Sequence, residues 1–125
     1  MQKTWLITGC SSGFGKRLAA AVAARGDNLI ATARKADDLE DLSAAHPESV
    51  KTAAVDVTKE GSVAAAVQIA ESAFGGLDVL VNNAGFGFMG AVEEATPEEY
   101  RPVFETNVFG LIETTRAALP ALRKR

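Results

Sequence analysis

The stretch TGCSSGFG, Thr8 to Gly15, joins a short β-branched run to a run with helical periodicity. Gly9, Gly13 and Gly15 crowd into it. Glycine lets another group approach the backbone closely, and a helix start offers free N–H donors with partial positive charge. A glycine loop between strand and helix is therefore a seat for phosphate. The spacing is G-x-x-x-G-x-G rather than the commoner G-x-G-x-x-G. By themselves the glycines leave two readings open, a nucleotide cradle and a tight structural turn. The strand before them and the helix after them favour the first.

The same alternation continues outward. TWLIT (Thr4 to Thr8), NLIATAR (Asn28 to Arg34), VKTAAVDV (Val50 to Val57) and LDVLVNN (Leu77 to Asn83) read as strands. Helical runs separate them. In the first, Phe14, Leu18, Ala21 and Val22 share a face and Gly26 marks the stop. The second opens with Asp37 as N-cap and Glu40 three residues on, the outline of a capping box. Thr58 is the expected cap of the third, whose Val63, Val67, Ala70 and Phe74 form a stripe. The fourth opens at TPEE, with Thr96 as N-cap, Pro97 at the first helical position and Glu99 closing a capping box. Pro102 is expected to split off a short first segment, and Pro120 to bend the end. Phe104, Val108, Leu111, Thr115, Leu119 and Leu122 follow down one side.

This β-α-β-α-β-α-β-α order predicts an α/β fold, a doubly wound parallel sheet of Rossmann-like type. Right-handed crossovers give the strand order 3-2-1-4, with the first two helices on one face and the later two on the other. Residues 1–125 make one domain. Composition sets the outer bounds. Apolar residues are 47% and charged residues 23%, with a net charge of −3. That balance gives no reason to expect a nucleic-acid partner. No apolar run approaches a membrane span, and no secretory signal is visible at the N-terminus. A single cysteine suits a reducing compartment, so the expected location is cytoplasmic.

TGCSSGFG after the first strand, DVT (Asp56 to Thr58) after the third, NNAG (Asn82 to Gly85) after the fourth and TNVFG (Thr106 to Gly110) in the long helix together resemble the short-chain dehydrogenase/reductase family. The resemblance implies a dinucleotide at the carboxyl ends of the strands. It places Gly9, Gly13 and Gly15 along the pyrophosphate and lets Ser11 and Ser12 donate to phosphate or ribose oxygens. Phe14 stands where many relatives carry isoleucine. Asp56 would hydrogen-bond the adenine amine, with the Val57 backbone beside it. Asn83, Ala84 and Gly85 would pass the adenine ribose, and Asn82 would tie the fourth strand to its neighbours.

Ala33 occupies the position at the end of the second strand where an acidic residue would select NAD, and Arg34 follows it. Arginine holds a phosphate through paired hydrogen bonds, so NADP is the expected cofactor and NAD the lesser one. Arg34 as a plain solvated loop residue is the other reading.

The family's chemistry needs a serine, a tyrosine with a lysine four residues later, and an asparagine in the long helix. Asn107 matches the asparagine. The only tyrosine is Tyr100, and position 104 is Phe104. The chain therefore reads as the N-terminal, cofactor-binding half of an NADP-dependent oxidoreductase of alcohols and carbonyls, inactive by itself. Asn107 then stands between a share in proton relay and simple bonding to backbone. A non-enzymatic, self-associating Rossmann-like module is the competing reading. The fourth strand carries no lysine or proline guard, so a homodimer is expected through its edge or through the long C-terminal helix.

Three smaller features stay open. Cys10 is either a thiol near a helix start or a small residue filling a turn. His46 reads as a solvated loop residue, with too few partners for a metal site. FGFMG (Phe86 to Gly90) either borders an apolar substrate or packs against sheet and helix.

Overall fold

A computed structural model describes every residue from Met1 to Arg125. The four apolar runs form β1 (Thr4–Ile7), β2 (Asn28–Ala33), β3 (Val50–Ala54) and β4 (Val79–Val81). All pair in parallel, in the order β3-β2-β1-β4. Leu6 lies between Ile30 and Leu80, and Ile7 between Ala31 and Val81. Side chains alternate across a strand, so neighbouring positions feed opposite cores. Leu6 and Ile30 enter one hydrophobic cluster, and Ile7, Leu29 and Ala31 enter the other.

Strands β3 and β4 stop short of their apolar runs, and beyond each the backbone turns to a side-chain partner. The Asp56 N–H donates to Ser62 Oγ at 2.8 Å. The Asn83 N–H donates to Thr8 Oγ1 at 3.0 Å. These departures open the carboxyl end of the sheet.

Helix α1 (Gly13–Ala24), then a 3-10 turn at Ala36–Leu39 running into α2 (Glu40–Ala45), cover one face. Helices α3 (Ser62–Phe74) and α5 (Leu111–Arg123) cover the other. Helix α4 (Pro97–Phe104) precedes α5, with a π-helical turn at Glu105–Gly110 between them. No helix is long and apolar enough to cross a membrane.

Several local expectations change. The buried residues of α1 are Gly15, Ala19, Val22 and Ala23, while Phe14 and Ala21 are exposed. Small residues four apart let this helix lie close to the sheet, and close approach outweighs the area a phenylalanine would bury. Asp37 and Glu40 form no capping box. The 3-10 turn starts after Lys35 without a side-chain cap, because Leu39 must turn inward to be buried. Nor does Thr58 cap α3. That helix begins after Gly61, whose φ of 80° turns the chain, and the Thr58 hydroxyl donates to Asp56 instead. Thr96 does form its box, with the Glu99 carboxylate accepting the Thr96 N–H at 3.0 Å.

Neither Pro102 nor Pro120 ends a helix; both lie inside one. The interruption is the π-helical turn, which advances the side chains out of α-helical phase. Gly110, Thr114, Ala118 and Ala121 therefore face inward, and Phe104, Val108 and Leu111 remain exposed.

At the opposite end of the sheet two carboxylates receive the start of β1. Asp27 accepts the Lys3 N–H at 3.0 Å and the Trp5 indole N–H at 3.1 Å. The Lys3 amide, with the Trp5 indole and Arg25, holds the Asp27 carboxyl below its usual range. Asp78 accepts the Thr4 N–H at 2.8 Å.

Candidate functional site

The parallel sheet sends all its loops of one kind to one end, and there they enclose an open cleft of about 1160 Å³. The glycine loop forms its base, from Thr8 to Phe14. Ala33 and Arg34 flank it at the end of β2, Val55 to Thr58 after β3, and Asn83 to Phe86 after β4.

The three glycines do three different things. Gly9 has φ +70°, and a Cβ there would lie 3.0 Å from the Ala84 Cα. Gly13 has φ +58° and borders open space, with nothing within 4 Å of a Cβ. Gly15 lies below the loop, where a Cβ would overlap the Gly9 carbonyl oxygen and Asn83 Nδ2. One glycine makes the turn, one leaves the backbone approachable from the cleft, and one lets α1 close on the loop. Ser12, at the N-cap, makes no side-chain cap bond. The first N–H groups of α1 have no intrahelical acceptor. This backbone fits a bound anion at the loop.

Thr8 joins the two loops on which the cleft rests. Its buried hydroxyl accepts the N–H groups of Asn83 at 3.0 Å and Ala84 at 2.9 Å. The Asn83 side chain returns a bond to the Gly9 carbonyl at 3.0 Å. The tie between the fourth strand and its neighbour is thus made by Asn83 and Thr8. Asn82 turns outward and donates to Thr115 of α5 at 3.1 Å.

On the β3 side, Asp56 Oδ1 accepts the Thr58 hydroxyl at 2.6 Å and the Thr58 N–H at 2.9 Å. These two bonds, the hydroxyl's first, hold the Asp56 carboxyl below its ordinary value. Val57 touches Gly110, where a Cβ would come 2.6 Å from Val57 Cγ2. Arg34 is exposed on the cleft and takes part in none of the ion pairs.

A family model described as short chain dehydrogenase matches residues 3–125. The chain belongs to the short-chain dehydrogenase family. The uncharacterized oxidoreductase YusZ of Bacillus subtilis (strain 168) is 45% identical in an alignment of 128 positions that covers 98% of this chain and 45% of that protein. The alcohol dehydrogenase from the archaeon Thermococcus sibiricus, complexed with 5-hydroxy-NADP, is similar with a TM-score of 0.91 and 34% identity, over 99% of this chain and 55% of its own. The 3-ketoacyl-(acyl-carrier-protein) reductase of Brucella melitensis, complexed with NADH, is similar with a TM-score of 0.89 and 36% identity, over 98% and 51%. The chain spans about half the length of the curated relatives it matches.

In this member of the family, Asn107 does not line the cleft. Its Oδ1 accepts the Phe86 N–H at 3.1 Å and its Nδ2 donates to the Phe86 carbonyl at 2.7 Å. It clamps the loop that follows β4. Tyr100 and Phe104 both lie on the exposed part of α4, away from the cleft lining. Cys10 is buried and donates to the Ile7 carbonyl at 3.2 Å, and burial pushes its thiol up to about 11. It fills the turn and is not a reactive thiolate. Phe86, Phe88 and Met89 are exposed, so FGFMG does not pack into the core, and Phe86 borders the cleft. His46 is half-buried at the end of α2, where its carbonyl accepts the Val50 N–H at 2.9 Å. No three His, Cys, Asp or Glu side chains are grouped to hold a metal.

The cleft has a further wall absent from the sequence reading. Pro97, Glu98, Arg101, Pro102, Glu105 and Thr106 line it from α4 and the turn after it. Nothing in their spacing distinguishes them from solvated helix residues.

Proposed function

We propose that the cleft binds NADP, and that these residues are the cofactor-binding part of a cytoplasmic oxidoreductase interconverting alcohols and carbonyls. The observation that carries this reading is the division of labour among Gly9, Gly13 and Gly15, which leaves one approachable stretch of backbone at a helix start. Amides from Gly9 to Gly15 would hold the pyrophosphate, with Ser11 and Ser12 beside them. Phe14 offers an exposed ring at the same edge. Asp56 and the Val57 backbone would take the adenine, and Asn83, Ala84 and Gly85 the ribose. The cofactor, when bound, supplies or accepts the hydride. The chain's own residues bind and orient it.

Proton transfer is a separate requirement. Tyr100 has no lysine four residues on, and both hydrogen-bonding atoms of the Asn107 amide are engaged by Phe86. We assign these 125 residues binding and no turnover of their own.

Arg34 supports the choice of NADP, since its guanidinium is exposed on the cleft and outside every ion pair. Titration by nicotinamide fluorescence is expected to show NADPH bound more tightly than NADH. Arg34→Ala is expected to weaken NADPH about tenfold or more and leave NADH nearly unchanged, the loss of roughly one charge-assisted pair. Equal affinities that do not respond to the substitution would discard the role.

A second reading, a self-associating module, rests on β4. That strand pairs with β1 on one side only, and Phe104, Phe109, Leu111 and Ile112 are exposed on the helix beyond it. Edge pairing or helix pairing would make a homodimer. Sedimentation equilibrium is expected to give twice the chain mass at tens of micromolar protein, and a monomer there would remove this reading.

A further inference from the structure

The π-helical turn Glu105–Gly110 reaches two walls of the cleft at once. Asn107 holds the backbone of Phe86 through both of its amide atoms, at 3.1 and 2.7 Å, and its Oδ1 lies 3.0 Å from where a Gly85 Cβ would stand. Three residues on, Gly110 is buried against Val57. A Cβ there would lie 2.6 Å from Val57 Cγ2 and 3.1 Å from the Glu105 carbonyl oxygen. Gly85 and Phe86 belong to the loop after β4 and Val57 to the loop after β3, and all three line the cleft. Gly110 itself does not.

The helix carries two irregularities at this point. A π-helical turn is rare, and it occurs chiefly as a single interruption of an α-helix, often at a functional site. Four residues after Gly110, Thr114 is fully buried, and its hydroxyl is the one buried side-chain polar atom left without a partner. A helical threonine can turn its hydroxyl to the carbonyl four residues back. Thr115 does so, to Leu111 at 2.8 Å, and Thr114 makes no such bond to Gly110. Local costs of this kind persist where the surrounding structure needs a particular position more than local stability.

We infer that Gly110 is a positioning residue of the cleft: by lying on Val57 it lets the π-helical turn hold the loops after β3 and β4 at one fixed separation. A side chain at position 110 would either push Val57 and its loop aside or lift the turn, and a lifted turn carries Asn107 away from Phe86. Either movement changes the separation. The inference rests on the dinucleotide reading above, in which one ligand touches both loops, and it gives a role to a residue that touches no ligand.

The test is a double-mutant cycle of Gly110→Ala and Val57→Ala, read by NADPH titration and by amide hydrogen exchange of the unliganded chain. Gly110→Ala is expected to weaken NADPH about tenfold or more. Val57→Ala removes the methyl that the new Cβ meets and is expected to weaken NADPH about twofold by itself. Independent effects would multiply, whereas the pair is expected to bind within about threefold of the parent. In the unliganded chain Gly110→Ala is expected to speed exchange at the Thr58 amide in one loop and the Phe86 amide in the other, and the pair to restore both. A plain packing defect at Val57 would move Thr58 alone. Val57→Ile enlarges the same contact from the loop side and carries the same two expectations at smaller amplitude, so the test stands if Gly110→Ala does not fold. Multiplying effects in the pair, or unchanged exchange at Phe86 in the enlarged variants, overturns the inference. Parental NADPH affinity in Gly110→Ala overturns it as well and leaves the dinucleotide reading intact. If the parent binds no NADPH, that reading falls, and exchange at Phe86 alone decides whether Gly110 holds the two loops together.

Discussion

Gly15→Ala is expected to lower NADPH affinity at least about 100-fold and to reduce the melting temperature by roughly 10 °C. Gly15 lies inside α1, where alanine is intrinsically the better residue by about 1 kcal/mol. A stabilising result would therefore follow if only local propensity mattered. The added Cβ, however, overlaps the Gly9 carbonyl oxygen and the Asn83 side-chain nitrogen. Those two atoms are hydrogen-bonded to each other at 3.0 Å, so neither moves without breaking the link between the glycine loop and the loop after β4. Overpacking of this kind costs about 1–3 kcal/mol, and the broken bond adds about 1 kcal/mol. The sum exceeds the propensity gain. Gly13→Ala is the matching control. Its Cβ meets nothing, and its cost is the positive φ alone, about 1–2 kcal/mol. Thermal melts and NADPH titration of the two variants check the argument. A Gly15→Ala chain that binds NADPH like its parent would show that the loop does not need this close approach.

Thr8→Val is expected to destabilise the fold by about 2–5 kcal/mol in urea unfolding, although valine has the same shape. The Thr8 side chain is buried, and its hydroxyl is the acceptor for two backbone N–H groups, those of Asn83 and Ala84. Valine leaves both without their protein partner, and each orphaned, partly buried donor costs up to about 1–3 kcal/mol. The same change frees the floor of the cleft, so amide hydrogen exchange at Asn83 and Ala84 is expected to accelerate well before global unfolding. Thr8→Ser keeps the oxygen and is expected to retain most of the stability. A Thr8→Val chain with parental stability and unchanged exchange at those two amides would remove Thr8 from its place as the tie between the loops.

These two residues mark the limit of what a linear reading reaches. Gly15 is visible in the sequence as one glycine among three, and its position before a helix suggests close packing. Thr8 reads as the last residue of a strand and the first of the glycine motif, with no role of its own. Its partners lie 75 and 76 positions away, and no local spacing points to them. The α4 wall is similar. Glu98, Arg101 and Glu105 have the pattern of a solvated helix face until the fold turns that face toward the glycine loop.

The sequence alone determined the alternation of strands and helices, because apolar runs with period two and period near four act over a few residues. Chain connectivity and crossover handedness then left one strand order, β3-β2-β1-β4, and so the end of the sheet where ligands enter. The tertiary structure decided how each helix is rotated. Phe14 faces out because Gly15, Ala19 and Ala23 let α1 come close, and the π-helical turn between α4 and α5 puts Phe104 out of phase with the buried Thr114, Ala118 and Ala121. It also decided which polar groups meet across the cleft. Rotation and long-range pairing depend on the balance of packing between elements distant in the chain, and that balance is set only when all of them are in place.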